Sequence, residues 1–374
     1  MMISLRSETS VFGRWWYTVD RWSLAALFLL IGCGAILALA STPAIAERLG
    51  LDPFYFVRRQ FALLPVAALG MIVVSMLPPR EIRVLALFGF FAAMVLLGLT
   101  FFIGVEIKGA RRWVSLAGFS LQPSEFVKPT FAVLTAWMFA QQRRHAGFPG
   151  DLIAIAMYAA VMALLLRQPD VGMAMVVTAV FFAQYFMAGL RMFWVVLMVA
   201  CGIVGLVGAY YAFPHVASRV DRFLNPNAGD SYQVDRAQDA FSNGGLLGRG
   251  PGEGTVKSVL PDAHSDFVFA VAGEEFGLLV CLAIVGLFGF IVLRGFSRLI
   301  QENDLFVLIA VSGLLTQFGL QALVNMGSTL HLMPTKGMTL PFISYGGSSL
   351  LSASLTMGMM LALGRKRFGA GEVA

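Results

Sequence analysis

Long apolar stretches separated by short polar breaks dominate this chain, and the stretches are much longer than strands need. A helix crossing a hydrocarbon core of ~30 Å takes roughly 17 to 25 mostly apolar residues. Reading between charged or Pro/Gly-rich breaks predicts helices at 22–41, 59–77, 84–104, 125–141, 152–166, 171–187, 192–212, 267–293, 305–327 and 342–364. Between 152–166 and 171–187 lies Arg167-Gln168-Pro169-Asp170, whose proline and two charges break what would otherwise be one helix. The expected fold is an all-α integral membrane protein, a bundle of about ten transmembrane helices. It forms one domain over 22–364, with a cytoplasmic segment 1–21 before it and a cytoplasmic tail 365–374 after it. The polar stretch 213–266, between the seventh and eighth spans, is expected as a large extracytoplasmic loop against the bundle mouth.

Composition excludes a soluble protein: 58% of residues are hydrophobic and 13% charged, with a mean hydropathy of +0.78, whereas soluble domains are about 25% charged. The formal charge of +6 does not imply nucleic acid, because the basic residues sit in short inter-helix segments and not on one face of a domain. Arg6, Arg14, Arg21, Arg80, Arg83, Arg143, Arg144, Arg191, Arg294, Arg298, Arg365, Lys366 and Arg367 fall on one side if the N-terminus is cytoplasmic, so both termini are expected there. The first apolar run ends in Ala44-Ile45-Ala46, which mimics a signal-peptide cleavage site, but the run is too long for a signal core and is expected as an uncleaved helix. Cys33, Cys201 and Cys281 lie in apolar runs without metal-type spacing and read as packing residues.

Polar residues at membrane depth are costly, so each is a candidate for function. Gly109-Ala110-Arg111-Arg112-Trp113 leads into Gln122-Pro123-Ser124-Glu125-Phe126-Val127-Lys128, with proline and an acid at a helix start. Glu125 and Lys128, three apart, form either a structural ion pair or, with Arg111 and Arg112, part of an anionic head-group site. Asp170 reads as a helix cap or a site residue, and Arg59 as a lipid-facing cation or a substrate contact.

The sharpest cluster runs from Leu260-Pro261-Asp262-Ala263-His264-Ser265-Asp266 into a helix carrying Glu274 and Glu275. Asp266 reads as an N-terminal cap or as a carboxylate base at a cavity mouth. The two glutamates, ~12 Å deeper at helical rise, are expected to join a polar network inside the bundle and not to touch substrate. Pro334-Thr335-Lys336-Gly337 leads to Gly346-Gly347-Ser348-Ser349, whose small residues serve either phosphate approach or tight helix packing.

These motifs, with Gln168-Pro169-Asp170 and Tyr232-Gln233 through Gly244-Gly245-Leu246-Leu247-Gly248-Arg249-Gly250, occur in the order found in the SEDS (FtsW/RodA) glycosyltransferases, which the chain resembles over almost its whole length. Phe223-Leu224-Asn225-Pro226 and Pro334-Thr335-Lys336-Gly337 are similar to the cell-division branch. Asp262 stands where glutamate is usual, Ser265 where threonine is usual, and His331 where a small residue is expected.

The resemblance implies an inverting glycosyl transfer that polymerises lipid II at the outer face of the inner membrane, during septum formation. Asp266 would be the catalytic base, and Arg59, Arg112, Glu125, Lys128, Asp170 and Ser348 would line the substrate site. It implies no certain cofactor, although a divalent cation (Mg or Mn) at the pyrophosphate is chemically reasonable. The implied partners are undecaprenyl-linked glycan, a class B penicillin-binding protein (the division transpeptidase FtsI), other divisome membrane proteins and the bilayer. The rival reading is a lipid II flippase, which predicts charges through the bilayer depth and inverted repeats.

Overall fold

A computed structural model of the chain describes residues 10–107, 110–116, 119–145, 147–189, 192–224, 232–334 and 337–366. Arg6, Gly109, Arg191, Asn225, Pro226, Thr335, Lys336 and Arg367, and the side chain of Cys201, lie outside the described residues. The chain begins with helices α1 (Val11–Thr18), α2 (Arg21–Ser41), α3 (Pro43–Arg48), α4 (Tyr55–Met76) and α5 (Pro79–Ile103). Strands β1 (Val105–Ile107), β2 (Ala110–Leu116) and β3 (Phe119–Leu121) follow. The remaining helices are α6 (Pro123–Arg144), α7 (Gly150–Arg167), α8 (Val171–Met187), α9 (Met192–Ala212), α10 (Pro214–Leu224), α11 (Tyr232–Gly244), α12 (Val268–Leu299), α13 (Leu305–Thr329) and α14 (Gly347–Leu363).

The fold is a helical membrane bundle, as the apolar pattern predicts. Among the described residues, 6 helical segments are long and apolar enough to cross a membrane: Arg21–Arg48, α4, α5, α7, α12 and α13. α8, the Gly202–Ala212 part of α9, and α14 are shorter apolar helices. α7 and α8 part at Gln168-Pro169, where Pro169 takes φ 22°. α13 is buried along most of its length and packs on α6, α8, α12 and α14, while α6 fills the space between α5, α7 and α13. α9 packs on α8 and α10 and presents Phe193, Val196, Val204 and Tyr211 outward, the surface expected of a lipid-facing helix.

The apolar pattern did not announce the small antiparallel sheet β1-β2-β3 between α5 and α6. Val114 pairs with Leu121 and Val105 with Trp113, so the segment carrying Arg111 and Arg112 is held as a ribbon. Val114 is buried beneath it while Arg111 stays exposed beside Glu106 at 3.4 Å, the alternation that a one-sided ribbon needs.

α12 is broken at Gly277, which takes φ 79°, ψ −179°. A break at membrane depth strands backbone groups that must be satisfied from elsewhere. Segment 245–250 supplies the partners. Arg249 N and Gly250 N donate to the carbonyls of Glu274 and Glu275 at 2.9 and 3.0 Å, and Leu278 N donates to the Gly245 carbonyl at 2.9 Å. Only glycines fit this splice: a Cβ on Gly248 (φ 80°) would stand 2.2 Å from the Glu275 carbonyl oxygen.

The same break redirects the glutamates. Instead of a network inside the bundle, Glu274 accepts from Thr255 N (2.9 Å), the Thr255 hydroxyl (3.2 Å) and Val256 N (3.1 Å). Glu275 accepts from Gly252 N at 2.8 Å and pairs with Lys257. Both carboxylates therefore clasp the loop before Asp266. That loop carries α10, α11 and a 3-10 turn at Val256–Ser258, and α11 packs along α12.

At the opposite end, Asp20 accepts two bonds from Arg294 at 2.7 and 2.8 Å, with Arg298 at 3.5 Å. Burial pushes the Asp20 carboxyl up, but the bonds from Arg294 and Ser23 and the charges of Arg298 and Arg294 outweigh it and hold the group below its ordinary value. Ala44-Ile45-Ala46 sits within α3, with Ile45 and Ala46 buried.

Candidate active site

Asp266 ends a turn that starts at Asp262. Asp262 takes φ 53°, and its carbonyl accepts from Ser265 N and Asp266 N at 3.1 Å each and from Phe267 N at 3.3 Å. Asp266 is half-buried and stands one position before Phe267, the N-cap of α12. Its carbonyl accepts from Asn325 Nδ2 at 2.9 Å. The loop preceding α14 runs beside it so closely that a Cβ on Gly337 would lie 3.2 Å from Asp266 Oδ2.

That loop is pinned from several sides. The Ser344 hydroxyl donates to the Ser265 carbonyl, and Tyr345 N donates to the His264 carbonyl at 2.9 Å. Phe342, at φ 66°, tucks its carbonyl against α2, where Gly34 leaves space; a Cβ there would stand 2.1 Å from the Phe342 oxygen. The rings of Phe56, His264 and Tyr345 pack mutually at centroid distances of 5.3 to 5.6 Å. Burial pushes the His264 imidazole below its ordinary value, against the opposing pull of Asp262.

Arg59 reaches this cluster from α4. Its guanidinium lies over the Tyr55 ring at 5.6 Å and donates to the Tyr55 hydroxyl at 3.2 Å. Arg112 leaves the ribbon toward the α7–α8 turn, donating to the Pro169 carbonyl at 2.6 Å, and lies 3.8 Å from Asp170. Asp170 Oδ1 caps α8 by accepting from Met173 N at 3.3 Å, and Oδ2 faces Arg112.

Glu125 and Lys128 pair at 2.8 Å, with side chains only 9% and 2% exposed. Lys128 Nζ also donates to Gln321 Oε1 at 2.9 Å. Of the two readings open for this pair, the geometry shows a buried ion pair, whereas Arg59, Arg111 and Arg112 at this end keep exposed surface. Ser348 is likewise occupied, accepting from Gln122 N at 3.0 Å and donating to the Ser120 carbonyl at 3.2 Å. One turn on, the Ser352 hydroxyl donates to the Glu125 carbonyl at 2.7 Å. These serines seat the corner between β3 and α6.

Among the described residues, no group of three or more His, Cys, Asp or Glu side chains could hold a metal ion. A cavity of about 860 Å³ opens at the opposite end, lined in part by Asp20, Arg144, Arg298 and Asp304, and none of the site residues contributes to it. His331, unexplained from sequence, packs edge-on against Phe223 at 5.1 Å and ties α10 to the end of α13. Gln321 and Asn325, which hold three site segments together, were not singled out by sequence; their four-residue spacing within an apolar helix is the signal that marks them.

A family model described as "Cell cycle protein", covering FtsW, RodA and SpoVE, matches residues 21–368. The chain belongs to this family. Its relatives include a probable peptidoglycan glycosyltransferase FtsW of Caulobacter vibrioides, 46% identical over 366 residues, covering 98% of this chain and 94% of the relative. Another, from Geobacter metallireducens and named in the same way, is 34% identical over 94% of this chain and 96% of its own. Among solved structures, a chain from a peptidoglycan synthase complex described as coordinating polymerization and crosslinking superposes with a TM-score of 0.75. It is 27% identical and covers 92% of this chain and 97% of its own. RodA of Thermus thermophilus superposes at 0.69, with 27% identity over 93% of this chain and 97% of its own. The family lies where the motif order pointed, and the helical membrane fold is shared.

Proposed function

We propose that this chain is a peptidoglycan glycosyltransferase that polymerises lipid II during cell division, with Asp266 as general base. The 4-hydroxyl of the lipid II N-acetylglucosamine attacks C1 of the lipid-linked N-acetylmuramic acid at the growing strand's end. The new O–C1 bond forms as the C1–O bond to undecaprenyl pyrophosphate breaks, with inversion, and the hydroxyl proton passes to the Asp266 carboxylate. A hydroxyl is a poor nucleophile at neutral pH, so a positioned base is needed, typically worth about 10²- to 10⁴-fold in rate.

The observation that carries this reading is the junction at Asp266, where a half-buried carboxylate stands between the turn 262–266 and the loop at Gly337. Arg59 and Arg112 keep exposed surface on this end of the bundle and are suited to the departing pyrophosphate. Glu125 and Lys128 brace α6 from within, Asp170 orients Arg112, and Ser348 fixes the ribbon to α14.

In this reading about ten helices span the inner membrane, both termini are cytoplasmic, and 213–266 lies outside. The prenyl tails lie in apolar grooves between helices, and a class B penicillin-binding protein of the FtsI type cross-links the product at the septum. The relatives' names and the synthase-complex match support that setting. The test sets polymerisation against transport. Purified protein with its partner transpeptidase is supplied with fluorescent lipid II in liposomes. Strand formation that requires Asp266 supports the polymerase, whereas translocation of the label without strands, unaffected by Asp266→Ala, would favour a flippase.

A further inference from the structure

α13 is a membrane helix, yet Gln317, Gln321, Asn325 and Thr329 recur every four residues and so share one face. Two of these side chains meet the site. Asn325 uses both hydrogens of its amide, donating to the Asp266 carbonyl at 2.9 Å and to the Met338 carbonyl at 2.6 Å. One turn earlier, Gln321 donates to the Thr339 carbonyl at 3.1 Å and accepts from Lys128 Nζ at 2.9 Å. One helix face thus clips together the start of α12, the loop before α14 and the brace on α6.

We propose that Asn325 is a positioning residue for glycosyl transfer, with Gln321 as a second clip, setting the placement of the Asp266 carboxylate against the backbone at Gly337. The inference rests on the reading of Asp266 as the base. Asp266 and Met338 belong to segments far apart in sequence, and Asn325 bridges their carbonyls from a third. Met338 adjoins Gly337, whose Cβ position is 3.2 Å from Asp266 Oδ2, so a bond between these segments fixes the room around the carboxylate.

A second observation separates this from packing alone. Asn325 is 0% exposed, and its Oδ1 has no hydrogen-bond partner among the described residues. A buried amide oxygen without a partner is destabilising. An apolar side chain of similar size would avoid that cost, so what this asparagine contributes is its two donors. Remove them, and the 266 and 338 carbonyls each lose a bond in the dry interior and the two segments are free to separate.

The experiment uses the full chain with its partner transpeptidase and compares strand synthesis by wild type, Asn325→Leu, Asn325→Asp, Gln321→Met and Asp266→Asn. Asn325→Leu keeps the volume and removes both donors, and Asn325→Asp keeps the shape and leaves at most one, the O–H of the protonated acid. A misplacement near 1 Å costs roughly 10²-fold in rate, so both Asn325 variants should lose about that factor in kcat with KM for lipid II unchanged. Gln321→Met should lose less. Wild-type kcat in both Asn325 variants, or a loss lying entirely in KM, overturns the proposal. If Asn325→Leu does not fold, Asn325→Asp and Gln321→Met decide it by the same criteria. Should Asp266→Asn itself stay active, the reading of the base fails, an outcome distinct from an inactive Asp266→Asn beside fully active Asn325 variants.

Discussion

Lys128→Met probes how the bundle carries charge in its interior. Methionine keeps the length of the side chain and removes the ammonium, leaving the Glu125 carboxylate, 9% exposed, without the cation at 2.8 Å and Gln321 Oε1 without its donor at 2.9 Å. Removing one partner of a buried pair costs about 3 to 5 kcal/mol, because the other charge stays behind in a dry site. At 1.4 kcal/mol per tenfold, the unfolded population rises by roughly 10²- to 4 × 10³-fold. Replacing both members is often close to neutral, so Lys128→Met with Glu125→Gln should recover much of that loss. The assay is thermal unfolding of the purified protein in one detergent, run as a double-mutant cycle, with half-lives at fixed temperature if unfolding is irreversible. A Lys128→Met protein as stable as wild type, or a double variant that loses the sum of both singles, would refute the brace and return Lys128 to head-group binding.

Two further outcomes follow from the loop around α12. Gly277→Ala places a Cβ 2.4 Å from Gly248 N on a backbone at φ 79°, ψ −179°, a conformation worth roughly 1 to 3 kcal/mol of strain for other residues. Its melting temperature should fall and protease cleavage in 245–258 should rise; no change in either would show that the splice is not needed. His264, held below its ordinary value mainly by burial, is favoured neutral in the folded state. A depressed group gives stability that is present above its unfolded value of about 6.5 and is lost as pH falls toward the folded value. Wild type should therefore lose stability on acidification below that point, and His264→Gln should lack that component in a pH series of melting temperatures.

The spanning helices and the break at Pro169 were legible because each rests on a local signal, apolar run length or a proline, whereas the approach of the Gly337 loop to Asp266 joins segments far apart in sequence and has no local signal. The α12 break was not legible, since a glycine shortly after Glu274-Glu275 carries no helix-stop signal of its own, and it is segment 245–250, about thirty residues earlier, that satisfies the freed groups. The destination of Glu274 and Glu275 was hidden for the same reason. The ribbon at Arg111–Arg112 was not legible because its strands are short and, among its described side chains, Val114 is the one that is firmly buried. Spacing alone allowed Lys128 to be a brace or a ligand; its contact with Gln321, 193 positions away, decides which geometry is realised. Nothing local marks Asn325 out as a bridge, because its two carbonyl partners lie on segments distant in sequence.

The most direct measurement is glycan-strand formation by Asp266→Asn, resolved by length on a gel after incubation of the purified protein and its partner transpeptidase with labelled lipid II. The amide keeps the shape of the carboxylate and cannot take the hydroxyl proton. The account predicts strands from wild type and none from a variant that melts at the wild-type temperature. Strands of normal length and rate from that variant would contradict it.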